Sequence, residues 1–414
     1  MKVETLFNDV EKSYLYCERY VNNGSPSKIN NTTSLKTRPT SKYKTFSLYL
    51  YDVNKIDGAK FFEIGEGDSF NVNKNVLILH PDSVHYPEIY RMIDKNNLFK
   101  IKVVPNANGR TVKICNKDYF YKLSYQKFLG RIPRILTEDI IRHNVEVCNF
   151  ILKALDAGKM NKKMAVLKEN YGQVVRLPKN DNEFFDWGTI IREFKPYPYV
   201  EEDECLIPFF SLFGIDILNP NDKPIIIQLF EKQYKILEDF LLEDILFPLY
   251  ETYFDCLLNC GIELEAHAQN MLFTVDKNFK IKRIVCRDFE SAGKDVLLMD
   301  YLKIKYDFKS LYKTNNKKEI DIDYKYPKYT IMHSFMFDFK LGEYITTPIL
   351  NCVHSFYSNL NLNYIQKKLK EFNKRFIDKL PDDFFPPEWF YYENIIWGEK
   401  KRIYKYKKFP KYRY

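Results

Sequence analysis

The 414-residue sequence has no run approaching the roughly 18 consecutive apolar residues that a membrane-crossing helix needs. Its opening stretch, MKVETLFNDVEKSYLYCERY, mixes charges throughout and has no apolar segment of the secretory kind. Cysteine is present but never as a CxxC pair. Cys17, Cys115, Cys148, Cys205, Cys256, Cys260, Cys286 and Cys352 are scattered, and only Cys256 and Cys260 approach one another, in a CxxxC spacing. Zinc knuckles and a disulfide framework are therefore not expected, and reduced core thiols are. No internal repeat is visible. These absences point to a soluble, cytoplasmic protein without a membrane partner.

What is present suits an enzyme-sized body. A hydrophobic fraction of 45%, with 16% aromatics, is ample for a packed core. The length allows two or three domains, or one large enzyme of several subdomains. The net charge of +9 is concentrated at one end, because residues 398–414, GEKKRIYKYKKFPKYRY, hold eight Lys/Arg against one Glu. Cations interleaved with tyrosines can bind nucleic acid by phosphate contact and stacking. Terminal charge runs are common, however, and a solvated segment packing its tyrosines on the body is the preferred reading.

Residues 22–45 are polar and turn-rich and read as a loop. Strands are expected at 45–53, 75–80, 99–105 and 110–114. A helix is expected over 137–158, capped by Thr137, acidic in its first turn and stopped at Gly158. An interruption near 160–185 suggests a division into residues 1–165, rich in strands, and 166–414, mainly helical. Apolar residues then recur at helical spacing from about 222 to 260.

That helical block runs into EAHAQNMLFTVDKNFKIKRIVCRDFES, residues 265–291. Two short apolar runs flank a turn-forming Asp-Lys-Asn, which predicts a β-hairpin with Asn270 and Asp288 at its open end. An amide oxygen beside a carboxylate makes a hard oxygen site suited to Mg²⁺ carrying nucleotide phosphates, with Glu265 and Glu290 able to add oxygens. His267 and Arg287 could meet a carboxylate or phosphate. A kinase-like phosphotransferase uses a comparable hairpin for Mg-ATP, so the residues alone leave the enzyme class open.

The stretch FPLYETYFDCLLNCGIELEAHAQNMLF…IVCRDFES resembles the C-terminal signature of the IucA/IucC-type siderophore synthetases, the NRPS-independent enzymes of aerobactin-like assembly. Upstream, VLILHPDSVHYPEIYR, VVPNANGRTVKICNKDYFYKLSYQKFLGRIPR and GTIIREF resemble further segments of that family in the same order. The resemblance implies an α+β synthetase fold of several subdomains, fingers and a kinase-like palm, with the thumb reduced at the N-terminus. It implies an ATP- and Mg²⁺-dependent ligase that adenylates a carboxylic acid, often citrate, and joins it to an amine or alcohol. Arg110, Thr111, Lys122 and Arg134 would then bind phosphates or the acid, with Asn108 at the position where the family has Ser. Glu265, Gln269, Asn270 and Asp288 would hold Mg-ATP, with Glu265, Asn270 and Asp288 on the metal. His267 would face the carboxylate and, with Lys122 and Arg134, serve the chemistry. A non-catalytic binding relative stays open, as does a homodimer. The family's early His-Pro loop has no histidine here, only Ser25, Pro26 and Lys36, and a family Thr is replaced by Gly130.

Overall fold

The computed structural model describes all residues except 23–33, 35, 68, 69, 71, 130, 131, 181, 182, 201, 202, 234, 311, 315–325, 327 and 394–402. Ser25, Pro26 and Gly130, singled out in the sequence, lie outside the described residues.

The first half is built around one eight-stranded antiparallel sheet. Its strands are β1 (Phe46–Asp52), β2 (Lys60–Gly65), β3 (Val76–Leu79), β4 (Phe99–Pro105), β5 (Thr111–Ile114) and β6 (Tyr119–Leu123), joined later by β10 and β11. A small hairpin, β7 (Tyr125–Leu129) and β8 (Ile132–Arg134), follows β6, and β9 (Met164–Val166) belongs to a second sheet. β10 (Tyr171–Pro178) and β11 (Phe184–Glu193) then return to the first sheet, giving the order β2-β10-β11-β6-β5-β4-β1-β3. The four strands expected from the sequence are all present.

The division expected at residue 165 does not follow the sheets. β11 pairs with β6 and β10 with β2, so this sheet is completed only at Glu193. Non-local pairing of this kind leaves no mark on the local composition. The polar stretch near 160–185 holds the entry to β9 and the β10–β11 turn rather than a linker.

The helix Glu138–Asp156 lies against this sheet. Thr137 Oγ1 accepts from Ile140 N at 3.4 Å, and Ile141, Val145, Cys148 and Ile151 form its buried stripe.

The second sheet has the order β12 (Cys205–Pro208), β14 (Met271–Val275), β15 (Ile281–Cys286) and β9, with only β15–β9 parallel. Its central pair is the expected hairpin, with Met271 opposite Cys286. Asp276 Oδ1 closes the turn by accepting from Asn278 N and Lys280 N, each at 2.9 Å. Period-two alternation divides the hairpin between two cores. Met271, Phe273 and Val275 enter a large helical core, whereas Leu272 meets Tyr14, Leu15 and Phe120. That smaller cluster joins the hairpin to β6 and so fixes the site between the sheets.

The expected helical block is interrupted. Ile225–Glu231 is a short helix, and a second runs through Phe240–Leu246 in wide π-type turns into Phe247–Cys260. The latter ends at Gly261, with φ 60°, where a Cβ would meet Met299 Cγ at 2.3 Å. β13 (Ile262–Glu263) pairs with β16 (Gly293–Lys294) beyond the hairpin. Helices spanning 328–377 and the hairpin β17 (Trp389–Glu393) and β18 (Ile403–Lys407) complete the body. At the C-terminus, Tyr412 and Arg413 are buried, and Arg413 Nε lies 2.9 Å from Asp338 Oδ2. All eight cysteines are free thiols. Among the described residues, no helix is long and apolar enough to cross a membrane.

Candidate active site

The mouth of the β14–β15 hairpin is made by two turns. In the first, Asn270 Nδ2 donates to Glu265 O at 3.1 Å and Asn270 N to His267 O at 2.9 Å. In the second, Arg287 N donates to Asn270 O at 3.0 Å, which extends the ladder by one bond. The chain then turns sharply, because Asp288 is left-handed at φ 69° and ψ 62°. Few non-glycine residues adopt that conformation, Asp and Asn most readily, and it costs energy unless neighbours hold it. Here Asp288 N donates to Glu169 Oε1 at 2.9 Å.

The eight-stranded sheet presents cations to this mouth. Thr111 and Lys122 are directly paired on β5 and β6 and therefore share a face. Lys122 is fully buried; its Nζ contacts Asp288 Oδ1 and lies 2.8 Å from Glu290 Oε2. Arg110 Nη2 reaches the same Glu290 oxygen at 3.0 Å. Asn108 shapes the loop before β5 by accepting from Thr111 N at 2.9 Å. Arg192, near the end of β11, pairs through Nε with Glu169 and stands 4.0 Å from Asp288 Oδ2 through Nη2. Lys340 Nζ lies 2.6 Å from Glu265 Oε1.

These charges fix one another. Burial pushes the Asp288 carboxyl up, but Lys122, Arg192 and Arg110 overcome it and hold the group well below the usual carboxylate range. Glu290 is likewise held down against its burial by Lys122 and Arg110. Glu265 is held at about 2, with Lys340 and His267 offsetting its burial. His267 goes the other way. Burial, with Lys340 nearby, lowers it to about 4 despite Glu265 and Asp288. It is therefore a neutral imidazole at neutral pH. Nδ1 accepts from Gln269 N at 3.2 Å, which leaves the proton on Nε2, 3.9 Å from Glu265 Oε2.

Several donors remain unanswered. Among the described residues, Arg110 Nη1, Thr111 Oγ1 and Arg192 Nη2 are buried and make no hydrogen bond. Thr111, Arg192, Asn108, Gln269 and Asp288 line a small cleft of about 10 Å³. That is about the room one water needs and far below the ~300–1,000 Å³ of a small-ligand site, so a phosphate enters only if the side chains around it shift. Buried donors without partners are rare in folded proteins and suit an anion.

The structure thus gathers Asn108, Arg110, Thr111, Lys122, Glu265, His267, Gln269, Asn270 and Asp288 around one interface between two sheets. Arg134 is not brought in. It ends β8, half-buried, with no hydrogen bond or ion pair to this network among the described residues. Arg287 is committed elsewhere: its guanidinium contacts Glu18 and lies 2.7 Å from Tyr14 OH and 2.9 Å from Gln269 O. It clamps the hairpin to the helix Val10–Tyr20. Sequence reasoning missed Glu169, Arg192 and Lys340. Arg192 lay within the quoted GTIIREF; Lys340 sits 75 residues beyond Glu265, in π-type turns with no motif around it.

No protein-family model matches the chain, and no curated protein does. Solved structures do. The chain shares its fold with the NRPS-independent siderophore synthetases, the class that its sequence resembles. The ATP-bound aerobactin synthetase IucA from a hypervirulent pathotype of Klebsiella pneumoniae superposes at TM-score 0.64 and 11% identity, over 88% of this chain and 68% of that one. The petrobactin biosynthesis protein AsbB from Bacillus anthracis str. Sterne gives 0.62 and 16%, over 92% and 70%. The aerobactin synthetase IucC from the same Klebsiella pathotype gives 0.59 and 12%, over 87% and 68%.

Proposed function

We propose that the chain is an ATP-dependent ligase that adenylates a carboxylic acid, citrate or a related di- or tricarboxylate, and condenses it with an amine or alcohol. The eight-stranded sheet would serve as the fingers, and the four-stranded sheet with its helices as the palm. The observation that carries the reading is the convergence of Arg110, Lys122 and Arg192 on Asp288 and Glu290, with Arg110 Nη1, Thr111 Oγ1 and Arg192 Nη2 buried and without a hydrogen bond among the described residues. The ATP-bound state of one structure with the same fold supports it.

In the first step a carboxylate oxygen attacks the α-phosphorus and pyrophosphate leaves. In the second the amine or alcohol attacks the acyl carbon, AMP leaves and the nucleophile gives up its proton. Cations fixed before the substrate arrives need no reorganisation as charge shifts along the phosphates. Arg110, Lys122 and Arg192 would fill that role, with the Thr111 hydroxyl as a neutral donor beside them. The neutral His267 offers an N–H donor to the acid without repelling Lys340. Lys122 exchanges its carboxylate partners for phosphate oxygens.

Mg²⁺ fits this site only together with a nucleotide. Among the described residues, no three His, Cys, Asp or Glu side chains gather closely enough to hold a metal ion. Asp288 and Glu265 are ionised, and with Asn270 they supply the one or two carboxylates that Mg²⁺ takes when phosphates complete its shell. When bound, the metal neutralises phosphate charge. ATP as substrate and eight free thiols suit the cytoplasm.

The test is the nucleotide product. The purified protein, given Mg-ATP, di- and tricarboxylic acids, and amines, is expected to make AMP, pyrophosphate and an amide. ADP alone would replace the ligase with a phosphotransferase. ATP binding without turnover on any pair would make the chain a binding relative, with Glu290 a permanent occupant of its cations.

A further inference from the structure

A second cavity lies on the opposite face of the eight-stranded sheet. Ile190 of β11 pairs with Lys122 and shares its face. Trp187, three residues earlier, points the other way by strand alternation and packs with Val175, Leu177 and Ile89. The cavity beside it measures about 440 Å³, within the ~300–1,000 Å³ range of small-ligand sites.

Its walls are aromatic. Tyr86, Phe184, Phe185 and Trp187 line it. The indole is fixed by Nε1 donating to Ile78 O at 3.2 Å, and the Tyr86 ring stands 6.1 Å away at 31°. Phe184 is 48% exposed, a large apolar face left at the rim. Three charged residues also line the cavity, and they differ. Glu183 is answered by Lys179 at 3.1 Å. Among the described residues Glu88 has no ion pair; burial, its charge and a hydrogen bond between the two raise the Tyr86 hydroxyl, while Glu88 Oε2 is buried without a partner.

Aromatic faces and an unpaired carboxylate oxygen both attract positive charge, and the buried oxygen additionally requires a donor. A quaternary ammonium satisfies only the first demand. A primary ammonium satisfies both, and its alkyl chain suits the phenylalanine wall. We propose that this cavity binds a primary alkylammonium, its N–H groups on Glu88 and its chain against Phe184 and Phe185. The site does not depend on the ligase reading, because it is separated from the Lys122 cleft by the sheet itself.

Calorimetric titration of butylamine and 1,4-diaminobutane into the full chain tests it. Saturable one-to-one binding is expected, at least tenfold weaker in Glu88→Gln and several-fold weaker in Phe184→Ala. Phe184 is exposed enough for its variant to fold, which keeps the test open should Glu88→Gln misfold. The proposal is overturned by absent saturation, by unchanged affinity in both cavity variants, or by tetramethylammonium binding as tightly. A chain that makes no AMP yet binds butylamine in this pattern loses the ligase reading and keeps the amine site.

Discussion

Two buried clusters of charge lie on either side of the β13–β16 pair, and they are built differently. In one, His333 places each ring nitrogen against a carboxylate, Nδ1 2.7 Å from Glu263 Oε1 and Nε2 3.2 Å from Asp295 Oδ2. Asp295 takes the Tyr329 hydroxyl at 2.8 Å and caps a helix through Leu298 N at 3.0 Å, while Phe384 stacks on the imidazole at 3.8 Å. In the other, Lys122 and Arg110 share Glu290, yet Arg110 Nη1, Thr111 Oγ1 and Arg192 Nη2 stay unpaired. The first cluster sets one imidazolium between two carboxylates and does structural work, although His333 Nε2 makes no well-aligned hydrogen bond. The second retains three buried donors and one carboxylate oxygen of Glu169 without a hydrogen bond among the described residues, and it borders a cleft. Burial and charge alone therefore do not mark a site; unanswered polar atoms beside an opening do.

The comparison can be broken at its structural end first. Glu263→Gln leaves His333 with one carboxylate in a dry core and is expected to cost ~3–5 kcal/mol of stability, the scale for removing one partner of a buried pair. Denaturant unfolding measures it, and ATP affinity of the folded protein should not change. Lys122→Met should act on both properties, because Asp288 and Glu290 lose their shared ammonium. Stability and ATP affinity are each expected to fall by about 2–5 kcal/mol. Unchanged ATP affinity would return Lys122 to a purely structural role.

Titration separates the clusters more gently. Burial lowers His333, but Glu263 and Asp295 raise it to about 9, above its ordinary 6.5. A raised folded value means that the imidazolium contributes its full stability below about pH 6.5 and loses it as pH rises through about 9. The thermal midpoint should therefore fall across that window, and a flat profile would show that the pair is not ionised as described. The smallest effect is expected at Arg134, where alanine should change ATP affinity by less than about twofold.

Much of this was legible in the sequence, for physical reasons. The β14–β15 hairpin announced itself because two short apolar runs flank an Asp-initiated turn, and both faces of it are buried. The helix Glu138–Asp156 was visible through its Thr cap and acidic first turn. The burial of Lys122 was not, since the alternation of YKLSYQKF reads equally well as a solvated face until the partner carboxylates arrive 166 residues later. Arg287 looked like a substrate ligand because nothing near it in sequence predicts Glu18 as its partner. The return of β10 and β11 to the first sheet depends on pairing with β2 and β6, which no local pattern encodes.

The unanswered donors would close on phosphate oxygens, and Thr111→Val removes one of them alone. Oγ1 makes no hydrogen bond among the described residues, so removing it should leave the thermal midpoint unchanged or slightly raised. One hydrogen bond to a charged group is worth ~1.5–3 kcal/mol, so calorimetric titration with Mg-ATP should show binding weaker by about tenfold or more. ATP affinity equal to that of the unaltered chain, with the midpoint preserved, would contradict the account.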